Sequence, residues 1–224
     1  MDAPGELIAS GRDADIFEFG QGRVLHRSRN GRSLVAEART MEFVRSHGYP
    51  APEVFDISDD GCDLVMERIE GPTMVDMGSA RPWRIRSMGR ELAGLHESLH
   101  RLPAPSWLPK APFGDGDRLL HMDLHPLNVL MGAEGPIVID WTNAASGDPL
   151  ADVALTWALI ASGEVPTDRI QSVILGVGRN RLLKAFLKSF QGDALRSTLI
   201  EGVEWKCTDR NMSAVEIRRM RSLL

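Results

Sequence analysis

The chain has 224 residues, with 26 Lys and Arg against 31 Asp and Glu, a formal net charge of −5 and a 43% share of hydrophobic residues. That length can bury a proper core, as one domain or two closely packed lobes, and the acidic balance gives no footing for nucleic acid. No apolar run approaches the roughly 18 residues of a membrane span, and Met1-Asp2-Ala3-Pro4-Gly5-Glu6 has neither the basic start nor the apolar stretch of a signal peptide.

Residues 7–28 read as two strands, Leu7–Ser10 and Arg23–Ser28, around a connection holding Gly11, Gly20 and Gly22. Those glycines do not make the G-x-G-x-x-G of a phosphate loop. A helix is expected from about Gly31 to His47, stopped by Gly48 and Pro50. Its apolar stripe includes Leu34, Ala38, Met41 and Val44. Glu37, three residues after Leu34 and four before Met41, sits on that stripe. A carboxylate facing a core needs a cationic or hydrogen-bonding partner, unless it lies at the margin and reaches solvent.

Asp63–Gly71 reads as a buried strand running into a Gly-Pro turn. Cys62, just before it, and Cys207 show no metal-type spacing, which fits a reduced cytoplasmic protein. A long helix follows from about Pro82 to Arg101. Ile85, Met88, Leu92, Leu95, Leu99 and Leu102 form its packing stripe. His96 and His100 are four apart but lack a third ligand nearby, so a structural role is expected for both. Pro103, Pro105, Pro109 and Pro112 mark a loop.

The stretch His121-Met122-Asp123-Leu124-His125-Pro126-Leu127-Asn128 comes next, followed by Asp140 at the end of Ile137-Val138-Ile139. Val129-Leu130-Met131 and Ile137-Val138-Ile139 read as two short strands joined by the turn Gly132-Ala133-Glu134-Gly135. If this hairpin centres on Glu134, Asn128 and Asp140 meet at its open end. A carboxylate beside an amide oxygen suits a hard cation such as Mg²⁺. Asp123 lies on the loop leading into this site, within reach of a substrate hydroxyl. A loop acid with a metal-binding Asn and a metal-binding Asp are the working parts of a kinase. Downstream, Asp148-Pro149 is an N-cap acid before a first-turn proline, opening a helix from about Leu150 to Ser162. Asp152 in its first turn suits the helix dipole. Further helices are expected around Asp168–Gly192, Asp193–Lys206 and Ser213–Leu224. The basic residues Lys206, Arg210, Arg218, Arg219 and Arg221 read as a solvated face.

His121, Asp123, His125 and Asn128, then Ile139-Asp140-Trp141 and Gly147-Asp148-Pro149, resemble the motifs of the aminoglycoside and choline kinase phosphotransferase family. Its pattern is H-G-D-x-H-x-x-N, a strand ending I-D-[WF], then G-D-P; Met122 stands where the family carries Gly. The resemblance covers about residues 8 to 162. It implies an α+β, two-lobed protein-kinase-like fold: a small antiparallel-sheet N-lobe over residues 1–66, a hinge at about 66–71, and a mostly helical C-lobe over 67–224 carrying the catalytic hairpin. It implies Mg²⁺-dependent transfer of the γ-phosphoryl group of ATP (or GTP) to a hydroxyl of a small-molecule acceptor, with neither nucleic acid nor membrane as partner. Asp123 would be the catalytic acid, with Asn128 and Asp140 on the metal. The Glu67 carbonyl and Ile69 amide would pair with the base of the nucleotide.

In the family the acid at the position of Glu37 pairs with a strand Lys that holds the phosphates. This chain has no lysine before Lys110. His26 stands where the Lys would be and Arg27 is next to it; Arg27, permanently charged, is the candidate for neutralising the phosphates. Strand alternation sends the two to opposite faces, so without a bulge only one can serve. Two other readings follow from the residues: a catalytically silent kinase-like binding module that lost turnover with its lysine, and a zinc hydrolase using His121, Asp123 and His125 on one face of an extended segment.

Overall fold

The computed structural model describes residues 3–11, 13–163, 169–190, 192–209 and 212–224. The expected helix start at Asp168 lies outside them. In chain order the elements begin with β1 (Leu7–Ser10), β2 (Ala14–Glu18), β3 (Arg23–Ser28), α1 (Val35–Ser46), β4 (Val54–Ile57) and β5 (Asp63–Glu67). Then come α2 (Met74–Ala80), α3 (Ile85–Leu99), β6 (Arg118–Leu120), β7 (Val129–Gly132), β8 (Gly135–Val138) and β9 (Ala145–Gly147). The chain ends in α4 (Pro149–Ser162), α5 (Arg169–Phe186), α6 (Asp193–Lys206) and α7 (Ala214–Arg221). Contacts divide these into two compact units, Met1–Gly71 with Leu130–Thr142, and Pro72–Val129 with Asn143–Leu224.

The first unit is built on a five-stranded antiparallel sheet in the order β1-β2-β3-β5-β4. β2 lies inside the segment expected to be a plain connection. Its residues are all half-buried, and Asp15 and Glu18 break the apolar alternation that would have marked a strand. Leu25 and Leu64 on the central pair are almost fully buried. α1 starts at Val35 rather than Gly31, because Gly31 takes φ +72° and the Leu34 amide donates to the Gly61 carbonyl instead of entering a helix. Ala38, Met41 and Val44 are buried as the stripe requires.

The hairpin of β7 and β8 closes on the two residues Ala133 and Glu134, so it is centred between them and not on Glu134. The expected division gave this hairpin to the C-terminal lobe, whereas its contacts group it with the sheet unit. The Val138 amide donates to the Pro50 carbonyl at 2.9 Å. Trp141 meets Tyr49 edge-on with ring centroids 5.6 Å apart. At Gly71 a Cβ would lie 2.2 Å from the Met131 carbonyl oxygen, so only glycine allows the two backbones to pass so closely.

The second unit is mostly helical. α3 is preceded by a 3₁₀ turn at Pro82–Arg84, so the long expected helix starts three residues later than proposed. α3 packs on α5, and α4 on α6 and α7. α4 is buried along most of its length. β6 and β9 form a small antiparallel pair, with Leu120 opposite Ala145. Leu120, Met122, Ala145, Ala151 and Leu155 form one buried cluster, with Ala111 and Phe113 against it. The segment between β6 and β7, His121–Asn128, is therefore rooted in this core at its first residues. Among the described residues no helix is long and apolar enough to cross a membrane.

Candidate active site

In the helical unit, the polar side chains of α4 shape the loop between β6 and β7. Asp152 is fully buried and accepts hydrogen bonds from the His121 amide at 3.0 Å, the Met122 amide at 2.8 Å and His100 Nε2 at 3.1 Å. Burial pushes its carboxyl up, but the bond from His100 and the charge interactions with His96, His100 and His121 outweigh that and hold it well below the usual carboxylate range. One turn further along α4, the Thr156 hydroxyl donates to the Leu124 carbonyl at 2.7 Å. His96 is buried among these groups, with Nδ1 against the Leu92 carbonyl and Nε2 against Thr156 Oγ1, each at 2.9 Å. Desolvation lowers its pKa to about 4, keeping it neutral. His96 and His100 are held by hydrogen bonds within the helical unit, the structural role expected of two histidines without a third ligand nearby.

This clamp forces Met122 into left-handed backbone at φ +64°, which explains why the family pattern carries Gly there. The turn ends the alternation that would have put His121, Asp123 and His125 on one face. Among the described residues no three His, Cys, Asp or Glu side chains converge as a metal-holding group. The zinc-hydrolase reading loses its geometric basis. Asp123 emerges beyond the turn with its side chain 18% exposed, 3.8 Å from His125 Nε2. The His125 amide donates to the Asp123 carbonyl at 3.0 Å, and its ring accepts from the Leu127 amide. Asn128 Nδ2 donates to the Asp123 carbonyl oxygen at 2.9 Å and to Asp123 Oδ2 at 3.2 Å. That commits the amide nitrogen of Asn128 to Asp123.

In the sheet unit a second cluster forms around Glu37. It is 5% exposed, so it does not reach solvent from the margin of its helix. Glu37 Oε2 accepts from the Thr142 hydroxyl at 2.8 Å, and the Trp141 backbone amide also donates to the carboxyl. Burial raises its pKa; His26 opposes this, the Asp140 carboxylate adds to it, and the bonds from Thr142 and Trp141 oppose it. His26 Nδ1 lies 3.8 Å from Glu37 Oε1. Arg32 donates to the Thr142 carbonyl at 2.8 Å, fixing the segment after β8. Asp140 in that segment is exposed and has φ +63°, a conformation Asp tolerates better than most residues.

Arg27 does not join this cluster. Its guanidinium is held by Asp63, its cross-strand neighbour, with Nε and Nη2 at 2.7 and 2.5 Å from the two carboxylate oxygens. Strand alternation brings His26 to Glu37 and sends Arg27 to the other side. At the end of β5, the Glu67 amide donates to the Glu53 carbonyl and the Arg68 amide to the Gly22 carbonyl. Those bonds fix the backbone leading to Ile69.

The profile described as the phosphotransferase enzyme family, APH, matches residues 5–117 and 106–175. The chain belongs to this family. The phosphotransferase is similar in fold to a thermostable mutant of aminoglycoside phosphotransferase APH(4)-Ia in its apo form, at 16% identity and TM-score 0.68, covering 97% of this chain and 92% of that one. It is similar to ADP-bound aminoglycoside phosphotransferase APH(2'')-Ib at 14% identity and TM-score 0.61, covering 97% and 90%. It is also similar to a choline/ethanolamine kinase family protein from Mesorhizobium loti at 15% identity and TM-score 0.61, covering 99% and 88%. No curated protein matches the chain. The family match identifies a phosphotransferase enzyme, and the solved structures share its fold.

Two residues that hold the loop between β6 and β7 are not marked as such by the sequence. Asp152 was assigned to the helix dipole, and Thr156 was passed over. The available signal was their spacing: an Asp and a Thr four apart on one face of an otherwise apolar helix must find buried partners.

Proposed function

We propose that this phosphotransferase catalyses Mg²⁺-dependent transfer of the γ-phosphoryl group of ATP (or GTP) to the hydroxyl of a small-molecule alcohol, in the cytoplasm where the nucleotide is abundant. The observation that carries this reading is the Asp123–Asn128 pair on a loop whose backbone α4 holds. Asp123 accepts or orients the proton of the acceptor hydroxyl. Asn128, its nitrogen bound to Asp123, would offer its side-chain oxygen to Mg²⁺, and Asp140, exposed in the sheet unit, would offer its carboxylate. Both donors are oxygens, the set a hard cation takes, so the residues present fit Mg²⁺. When bound, Mg²⁺ would supply positive charge against the nucleotide phosphates. Glu37 anchors the segment that carries Asp140 through Thr142 and Trp141. The Glu67 carbonyl and Ile69 amide pair with the base of the nucleotide.

The silent binding module is favoured by one observation, an imidazole beside Glu37 where the family has an ammonium. One experiment separates the readings: nucleotide binding by calorimetry, and phosphoryl transfer to a panel of alcohols by ³¹P NMR, for wild type and Asp123→Asn. Turnover in wild type and binding without turnover in the variant support the kinase. Binding without turnover in wild type supports the module, and retained turnover in Asp123→Asn refutes the role of that acid.

A further inference from the structure

We infer that the corner joining α2 to α3 docks on an anionic lipid surface, with Trp83 entering the headgroup layer and Arg81, Arg84, Arg86 and Arg90 meeting the negative headgroups around it. This goes beyond the catalytic reading, does not depend on it, and adds a partner that the family resemblance does not imply.

The corner is the 3₁₀ turn Pro82–Arg84, and Ile85, the next residue, takes the inward place. A Cβ on Gly178 of α5 would lie 3.1 Å from Ile85 Cδ1, and one on Gly78 of α2 would lie 3.8 Å from Ile85 Cγ1, so the space between these helices is filled. Trp83 is left 76% exposed, more than any other large hydrophobic side chain among the described residues. Arg81, Arg86 and Arg90 are exposed around it. Arg84 Nη1 rests 3.3 Å from Met77 Sδ, a weak acceptor.

The charge of this corner is not answered from within. Among the described residues the arginines in ion pairs are Arg27, Arg29, Arg45, Arg68 and Arg118, none of them here. Asp76 of α2 is held by Thr73 in a capping box. Arg84 and Arg86 stand at the positive end of α3, whose first turn has neither an acid nor a side-chain cap. Like charges gathered there are unfavourable in the free protein, and negative charge from outside reverses the sign. The helical unit as a whole holds 18 Lys and Arg against 15 Asp and Glu, a net +3, whereas the sheet unit holds 8 against 16, a net −8. Attraction to an anionic surface therefore belongs to this unit and this corner, and the chain's overall acidity conceals it.

Shape selects the lipid over a protein. A stable protein partner covers about 800 Å² on each side, and one Trp supplies about 150–250 Å². No second large exposed hydrophobic side chain accompanies Trp83 in the turn or along α3. A headgroup layer needs no matching pocket: it takes a Trp at the interface, and each basic residue near an anionic surface raises the partition about fivefold.

The test is flotation with vesicles of phosphatidylcholine alone, and of phosphatidylcholine with about one third phosphatidylserine, at low and high salt. The proteins are wild type, Trp83→Ser, the pair Arg86→Gln/Arg90→Gln, and the pair Arg218→Gln/Arg219→Gln on α7. All five positions are exposed, and thermal unfolding shows that each variant is folded. Wild type should float with anionic vesicles and not with neutral ones, less so at high salt. The α3 pair should weaken binding about 25-fold. Trp83→Ser should weaken it at every salt concentration. The α7 pair, which removes as much charge elsewhere, should bind as wild type does. The inference is overturned if wild type leaves anionic vesicles alone, if Trp83→Ser or the α3 pair binds like wild type, or if the two arginine pairs lose binding equally. Wild type that ignores vesicles but self-associates, and loses that in Trp83→Ser, assigns the corner to a second copy instead.

Discussion

Replacing Asp152 with Asn tests whether α4 sets the geometry of catalysis. The carboxylate accepts from two buried amides and one imidazole, all at 3.1 Å or less. The carboxamide keeps one acceptor oxygen and turns an NH₂ toward the other donors. An unmet buried donor costs about 1–3 kcal/mol, and removing one partner of a buried charged pair costs about 3–5 kcal/mol. These groups share one carboxylate, so their costs overlap instead of adding. A loss of about 3–5 kcal/mol follows, on the order of 10 °C in melting temperature for a chain of this length. Activity should suffer beyond stability, because the strained Met122 turn that presents Asp123 is held by the same oxygens. Urea unfolding followed by circular dichroism gives the first quantity. The second comes from kcat at a temperature where the variant is folded, with nucleotide affinity as the control. A variant within about 0.5 kcal/mol of wild type, the range of inconsequential surface changes, would refute the clamp. So would full turnover in a strongly destabilised variant.

Other consequences can be checked with the same tools. His96, held near pKa 4 by burial against an unfolded value near 6.5, favours the fold when neutral. Its contribution is complete above about pH 6.5 and is lost as pH falls toward 4, about 3 kcal/mol at most; a His96→Gln variant whose urea stability shows the wild-type slope between pH 7 and 4 would contradict this. Asp140→Asn and Asp140→Ala should both abolish Mg²⁺-dependent thermal stabilisation by ATP. Only the Ala variant should also destabilise the free protein, by about 1 kcal/mol, since Asn tolerates left-handed backbone and Ala does not; equal melting temperatures for the two would show the backbone is unstrained. Gly147→Ala should cost about 1–3 kcal/mol by overpacking, because a Cβ there would lie 2.7 Å from Leu120 Cδ1 and 2.8 Å from Ala111 Cβ; an unchanged melting temperature would show that β9 can shift.

What could be read from the sequence was whatever chemistry forces into a short, contiguous pattern. Asp123 and Asn128 share one loop, and their hydrogen bond follows from a spacing of five. The N-cap at Asp148 is likewise local, its side chain accepting from the Leu150 amide. Elements held by pairing alone were harder to see. β2, β4, β6 and β9 have three to five residues each, too few to establish a period, and each exists because a partner strand supplies its hydrogen bonds. Which partner holds Arg27 depended on one long-range fact, that Asp63 lies directly across from it. The role of Asp152 depended on another, because its partners are about thirty residues earlier in the chain.

That separation has a consequence for synthesis. A ribosome releases His121–Asn128 well before it releases Asp152 and Thr156, so the loop leaves with its full sequence and nothing to bend it. Met122 has no reason of its own to enter left-handed backbone. Asp123 is therefore not set in place until a later helix has been made and docked, and a nascent chain that ends before residue 152 carries the loop sequence without the helix that shapes it.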